Sequence, residues 1–182
     1  ASLPAKQIAD MVKHTPDVPT LQTIWNDRVP TWWSWVPQGA EGLGMYMSPQ
    51  GHVTASYPHT SRNQQVLGLD TLTGQFREET LVQISRADVI TAGPFPILGQ
   101  CVVTTSIPIF FTNTSVDETW GFPRQATNCS ICYNQTTRTK WWGYISIALD
   151  VDALLTAPSG LFLLNQLSDS KLHYRLATRP LG

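Results

Sequence analysis

Few residues of this chain stand at spacings that support catalysis or metal binding. The four histidines, His14, His52, His59 and His173, lie far apart in the sequence, and no acidic or cysteine residue accompanies them at ligand spacing. The sequence contains no nucleophile-elbow, phosphate-binding glycine or zinc-protease motif. We therefore expect no enzymatic activity, no cofactor and no bound metal.

Three aspartates remain as candidates for polar chemistry. Asp150 and Asp152 are separated by one residue, and a helix cap followed by a first-turn acid explains them better than a metal site. Asp70 follows the apolar run 66–69. It either caps the turn before the next helix or accepts a hydrogen bond from a small ligand, because an apolar pocket needs a few polar groups to orient its occupant. Both interpretations of Asp70 stay open at this point.

The three cysteines divide into a close pair and a separate residue. Cys129 and Cys132 form a single C-x-x-C without the second pair of ligands that structural zinc requires. We expect a small disulfide loop there, with a redox-active dithiol as the alternative. Cys101 lies in an apolar run and is expected to be a buried thiol.

Three N-x-S/T sequons fall in the same region as this cysteine pair. They begin at Asn113, Asn128 and Asn134, within a polar stretch that must form surface loops. Their density predicts glycosylation and passage through the secretory pathway.

Composition excludes several classes of function. The chain has 182 residues and a formal net charge of −1, and it has no basic face, so nucleic-acid binding is not expected. No apolar run is long enough to cross a bilayer. The abrupt ends at Ala1 and Gly182 suggest a domain whose flanking segments are missing, and any membrane attachment would lie in those segments.

Hydrophobic periodicity predicts a mixture of helices and strands with short connections. The predicted helices are 3–13, 21–30, 76–87 and 151–155, and the predicted strands are 52–57, 89–91, 101–111, 141–149 and 172–177. Pro30 is expected to end or kink the second helix, and Gly39 to Gly51 is rich in turn residues. This order predicts an α+β fold with a mostly antiparallel sheet.

Trp32, Trp33 and Trp35 form a cluster between two prolines. Such a cluster can serve a membrane interface or a partner surface. The interpretation we favour places two rings in the core and one at the surface.

Seven phrases of the sequence, taken in order, resemble the CHASE domain, the extracytoplasmic sensory module of transmembrane histidine kinases and nucleotide cyclases. They are LQTIWNDRV, SPQGHVTASYP, LGLD, the helix to Ala87, ITAGPFPIL, VVTTSIPIF and WGYISIALDVDALL, and they span most of residues 20–180. Each phrase alone has low specificity, and the series in order is the stronger signal.

The resemblance implies a fold of an N-terminal stalk helix followed by two PAS-like lobes. The implied boundaries are 1–30 for the stalk, 31–112 for a membrane-distal ligand-binding lobe completed by strand 141–149, and 150–182 for a membrane-proximal lobe. It also implies a homodimer paired through the stalk helices.

The resemblance further implies which residues bind a ligand. In the plant cytokinin receptors of this family, the acid that matches Asp70 bonds the hormone and backbone groups at the position of Thr91 add a contact. The implied binding residues are Asp70, Thr91, Gly93, Ser106, Tyr144 and Ser146.

One departure from the cytokinin receptors concerns the ligand. Those receptors carry Gly-Gly in the closing strand, where this chain has Ser146-Ile147. An isoleucine that faced the pocket would fill the volume that a ring needs. We therefore expect a related pocket with a different ligand.

Together these features predict a small-molecule sensory domain on the extracellular or periplasmic face of a membrane receptor, whose output is a histidine kinase or a nucleotide cyclase. The alternative is a glycosylated interaction or dimerisation module that binds no small ligand.

Overall fold

A computed structural model of the chain describes residues 3–34, 43–123 and 129–151. Its α-helices are α1 (Leu3–His14), α2 (Val18–Trp33), α3 (Ser61–Gln64) and α4 (Arg77–Arg86). Its strands are β1 (Leu43–Pro49), β2 (Ala55–Tyr57), β3 (Ile90–Ile97), β4 (Gln100–Phe111), β5 (Tyr133–Asn134) and β6 (Thr139–Asp150). Short 3₁₀ turns occupy Gly74–Phe76 and Ser130–Cys132. The predicted α+β class with an antiparallel sheet is confirmed.

The six strands form one antiparallel sheet in the order β2-β1-β6-β4-β3, with β5 paired to β6 outside this path. The long strand β6 lies between β1 and β4, and every residue from Lys140 to Ala148 is buried. Because a strand covered on both faces needs apolar or small side chains on both, its sequence reads as a nearly continuous apolar run.

The helices α1 and α2 cover one face of this sheet. In α1 the buried residues recur at helical spacing, at Ala5, Ile8, Ala9 and Val12. The matching residues of α2 are buried against the same core. The sheet contributes alternate residues to it, which are Met45, Met47, Ile109, Ile145 and Ile147.

Two hydrogen bonds fix how α1 passes into α2. Asp17 caps α2, and its carboxylate accepts from the backbone N–H of Thr20 at 2.9 Å. The buried Trp142 of β6 donates its indole N–H to the Pro16 carbonyl at 2.9 Å. The connection between the two helices is therefore attached directly to the central strand.

The predicted helix at 3–13 is confirmed, and so is the one at 76–87, which ends at Ala87 in a left-handed conformation (φ 51°). The predicted strands at 101–111 and 141–149 are confirmed with slightly longer bounds. Pro108 lies beyond the last residue of β4 that pairs with β3, so it is tolerated there.

Three predicted element bounds differ from the structure. Of the two alternatives at Pro30, the end of the helix is not observed: α2 continues to Trp33, since Pro30 is exposed in the last turn while Val29 holds that turn against the core. The strand predicted at 52–57 covers only Ala55–Tyr57, and His52 pairs separately with Asp70. The strand predicted to stop before Gly93 continues to Ile97, because an irregularity between Ala92 and Phe95 absorbs the Gly-Pro pair.

The turn-rich interpretation of 39–51 is also wrong for Leu43–Pro49, which forms β1. This strand is paired on both sides, by β2 and by β6. Its glycine is used for packing rather than for a turn, since a side chain on Gly44 would collide with the Tyr46 ring.

Several sequence predictions lie outside the described residues. These are the position of Trp35, the sequon at Asn128, the helix at 151–155 beyond Val151, the strand at 172–177 and all but the first two residues of the predicted lobe 150–182. Of the tryptophan cluster, Trp32 and Trp33 are half-buried and pack against the core of α1 and α2. Among the described residues, no helix is long and apolar enough to cross a membrane.

The indole contact of Trp142 gives a prediction about stability. Trp141 and Trp142 are both fully buried, but the Trp141 N–H has no hydrogen-bond partner while the Trp142 N–H bonds Pro16. We expect Trp142→Phe to lower the free energy of unfolding by about 1 kcal/mol more than Trp141→Phe, because only the first change leaves a carbonyl without its donor. Urea unfolding of both variants measures the difference. Equal losses would show that the Pro16 contact contributes nothing.

Candidate functional site

A cavity lies between the second face of the sheet and a wall formed by α4, α3 and the connecting residues 65–73. About 960 Å³ of space free of protein atoms lies in and before it, a figure that includes open solvent at its mouth. Its lining is mostly apolar and includes Val53, Val66, Leu69, Phe76, Ile90, Ala92, Phe95, Ile97, Leu98, Val102 and Ala148. Polar side chains are interspersed among these residues.

The strand register builds the floor of the cavity. Ser146 pairs with Tyr46 on one side and with Ser106 on the other, so these side chains form a row across three strands. The next row toward Gly143 contains Ser48 and Tyr144. Because successive side chains of a strand point to opposite faces, the residues between them face α1 and α2 instead.

Helix α4 forms one wall of the cavity. Phe76, Glu79, Thr80 and Gln83 line it, and their spacing of three or four residues places them on one face of the helix. The Phe76 ring meets the Phe95 ring of β3 edge to face, with centroids 5.5 Å apart. This contact joins the start of α4 to the β3–β4 hairpin.

The short helix α3 closes a second side. Asn63 is buried, accepts a hydrogen bond from the Tyr46 hydroxyl at 2.9 Å and donates to the Pro58 carbonyl at 2.8 Å. Its neighbour Arg62 lies 3.7 Å from the buried carboxylate of Asp150, at the end of β6. Asp150 is thus in ion-pair contact with a cavity residue, while the helix that it is expected to cap lies outside the described residues beyond Val151.

Burial changes the acidity of both tyrosines in the floor. It raises the pKa of Tyr144 to about 12, although hydrogen bonding to Thr71 and Ser48 works in the opposite direction. Burial also raises the pKa of Tyr46, and the nearby Arg62 charge partly opposes this. Both phenols are neutral at physiological pH and can donate or accept a hydrogen bond.

Three of the six predicted binding residues line the cavity, namely Ser106, Tyr144 and Ser146. Thr91 is exposed, and its hydroxyl lies 2.9 Å from that of Thr105, while its neighbours Ile90 and Ala92 face the cavity. Gly93 is not in the lining either; it has φ 121°, and a Cβ there would approach the Val102 carbonyl to 2.7 Å.

Asp70 does not line the cavity, although Leu69 and Thr71 beside it do. One carboxylate oxygen accepts from the backbone N–H of Leu72 at 2.9 Å, and the other lies 3.7 Å from Nε2 of the buried His52. The sequence left two interpretations of Asp70 open, and these contacts correspond to the one in which it caps the turn.

The expectation that Ile147 fills the pocket is wrong. Ile147 belongs to the core formed with α1 and α2, and the adjacent Ser146 faces the cavity. The alternation of the strand decides this, since a residue one position away from a cavity residue must lie on the opposite face. Ile147 therefore places no limit on the size of a ligand.

Sequence reasoning missed the α4 wall. Neither Glu79 nor Gln83 is among the binding residues predicted from the sequence, yet both line the cavity. Their helical spacing could have revealed this role, because both residues share the inward face of the helix with Phe76, Thr80 and Ile84.

A disulfide joins Cys129 and Cys132, and the buried Cys132 packs with Trp141, Tyr144 and Ile84 behind the cavity. Cys101 is a free thiol and is half-buried, less enclosed than expected. The side chains of Asn113 and Asn134 are exposed.

The segment that follows Asn113 is held by the buried Lys140. Its ammonium donates to the carbonyls of Val116 and Glu118 and lies 5.8 Å from the centre of the Trp120 ring. Burial lowers the pKa of Lys140, and Asp117 and Glu118 oppose that change.

Within the described ranges, no three side chains of His, Cys, Asp or Glu lie close enough together to hold a metal ion. Comparison with known proteins assigns no relative, since no protein-family model, curated protein or solved structure matches the chain.

The Asp70 contacts predict a structural role for that carboxylate. Asp70→Ala should lower the free energy of unfolding by about 1–3 kcal/mol, because the N–H of the buried Leu72 loses its acceptor. Asp88→Ala is the matched control, since Asp88 is an exposed acid that bonds only the next backbone N–H. Urea unfolding compares the two variants. If Asp70→Ala is as stable as Asp88→Ala, the Asp70 carboxylate does not stabilise the turn.

The buried phenol of Tyr144 predicts a pH dependence. Its pKa is about 12 in the folded chain against an ordinary 10, so the folded state holds this proton more tightly. The stability contribution is therefore complete below pH 10 and is lost as pH rises toward 12, by up to about 3 kcal/mol. Tyr144→Phe should flatten this part of the urea-midpoint profile. An equally steep fall in the variant would contradict the assignment.

Proposed function

We propose that this chain is the small-molecule-binding sensory domain of a transmembrane signalling receptor, exposed on the outer face of the membrane. The cavity between the sheet and α4 is the observation that carries the proposal. A concave site with a largely apolar surface and polar groups interspersed in it is typical of sites that bind small organic molecules.

The central strand supports a route for signalling. Tyr144 and Ser146 line the cavity. Ile145 and Ile147, which alternate with them along β6, pack against α1 and α2. A ligand that favours one arrangement of β6 would also favour one packing of the N-terminal helices. The shift is limited to the ligand's difference in affinity for the two states.

The resemblance to the CHASE family supplies the finer part of the proposal. A single antiparallel sheet with a cavity on one face is compatible with a PAS-like ligand-binding lobe. In this proposal residues 1–30, which contain α1 and most of α2, form the stalk and pair with those of a second copy, and the receptor's output is a histidine kinase or a nucleotide cyclase.

The Cys129–Cys132 disulfide supports location in an oxidising compartment. The exposure of Asn113 and Asn134 is compatible with glycosylation of both.

The second candidate is a glycosylated interaction module that binds no small ligand. It is favoured by the exposed apolar side chains of Val116 and Ile131, which lie in the segments that carry the sequons. Trp32 and Trp33 are half-buried and pack against the core, so these two rings give this candidate little support.

The proposal predicts that a bulky residue in the cavity floor abolishes ligand binding without unfolding the chain. The wild type is first screened by thermal shift against a metabolite panel, where a compound at 100 times its dissociation constant adds about 2.7 kcal/mol of stability. Ser106→Phe should remove every such stabilisation, because its ring occupies the floor.

Thr91→Phe is the matched control, since Thr91 is exposed and lies one position from Ile90, the partner of Ser106. It should keep the response of the wild type. If no compound stabilises the wild type, or if Ser106→Phe responds like the control, the cavity is not a ligand site and the interaction module becomes the better candidate.

A further inference from the structure

Two buried polar atoms on the α4 wall lack a hydrogen-bond partner. They are Oε2 of Glu79 and Nε2 of Gln83. Gln83 is only 4% exposed, and both side chains line the cavity. One atom is an acceptor and the other is a donor.

Such atoms are unusual in a folded protein. The large majority of buried side-chain polar atoms have a partner, because leaving one unsatisfied costs its full desolvation penalty. Residues four positions apart on a helix are neighbours on one face, so this acceptor and this donor lie side by side. A partner supplied by a ligand accounts for both atoms at once.

We propose that Glu79 and Gln83 recognise a planar cyclic amide, a ligand that presents an N–H and a carbonyl oxygen on one edge. This inference rests on the proposed function of the cavity. Glu79 accepts the hydrogen bond of the ligand N–H, and Gln83 donates to the ligand carbonyl. A ring holds these two groups on the same side, which an open-chain secondary amide in its trans form does not.

The rest of the cavity suits such a ligand. The ring of Phe76, at the start of α4, contacts the ring of Phe95 in β3. Together with Val53 and Ile90, these rings offer apolar surface for the body of a cyclic ligand. An anionic ligand is disfavoured, since the Glu79 carboxylate would repel it and the Arg62 guanidinium already lies beside Asp150.

The test compares two fragment probes that differ only at the proposed donor. Oxindole is a bicyclic lactam with a free N–H, and N-methyloxindole carries a methyl group in its place. Calorimetric titration of the full chain should show at least about tenfold tighter binding of oxindole, as expected for one hydrogen bond to a charged group.

Glu79→Leu should remove the preference for oxindole, because it removes the acceptor of the ligand N–H. Gln83→Leu should weaken the binding of both probes, because both carry the carbonyl to which Gln83 donates. The melting temperatures of both variants without ligand should equal or exceed that of the wild type, because each change removes an unsatisfied buried atom. Glu78→Leu is the matched control, since Glu78 is an exposed acid on the same turn of α4, and it should keep the preference.

Equal affinity for the two probes, failure of oxindole to bind, an unchanged preference in Glu79→Leu, or an unchanged affinity for both probes in Gln83→Leu would overturn the proposal. Ser106→Phe separates this failure from failure of the proposed function. If other compounds still bind the wild type and are lost in Ser106→Phe, the cavity is a ligand site and only the amide recognition is wrong.

Discussion

The double burial of β6 is the constraint on which the rest of the structure depends. From residue 144 onward its side chains alternate between the cavity and the helical core, so each must suit one of two different environments. Gly143 sets where this alternation starts: its φ is 141°, and a Cβ there would lie 2.8 Å from the Cα of Pro49 in β1. The register also shifts between Ile109 and Phe110 of β4 opposite this point, which lets Trp141 and Trp142 join different clusters.

The alternation also explains why there is a cavity at all. On the helical side, the two central strands present large residues, namely Ile107, Ile109, Ile145 and Ile147. On the other side, beside Val102 and Tyr144, they present small ones, namely Thr104, Ser106, Ser146 and Ala148. Protein cores are close-packed, so a face of small side chains facing a helix leaves space that the chain itself does not fill. A register slip of one residue would exchange the two faces, and the cavity would be lost.

The sequence predicts those elements whose residues repeat with a clear period. Helices α1 and α4 and strands β4 and β6 were found this way, because their apolar residues follow helical or extended spacing over ten residues or more. Strand β1 was missed, since Gly44 and Pro49 outweigh the alternation of Met45 and Met47 in a local reading. The face to which Ile147 points was also beyond local reasoning, because period two identifies two faces without saying which one holds the helices.

The same reasoning separates the site residues that the sequence predicts from those that it does not. Ser106, Tyr144 and Ser146 were predicted because they lie on strands that the sequence reveals, whereas Glu79 and Gln83 were not, because polar helix residues are ordinarily assigned to solvent. A helix normally turns such residues outward, and α4 turns two of them toward a space lined by small residues of the sheet. The cavity and the unpaired atoms both lower the stability of the folded chain. In the proposed sensory role, an occupant that supplies these contacts would stabilise the sheet, α4 and, through β6, the packing of α1 and α2.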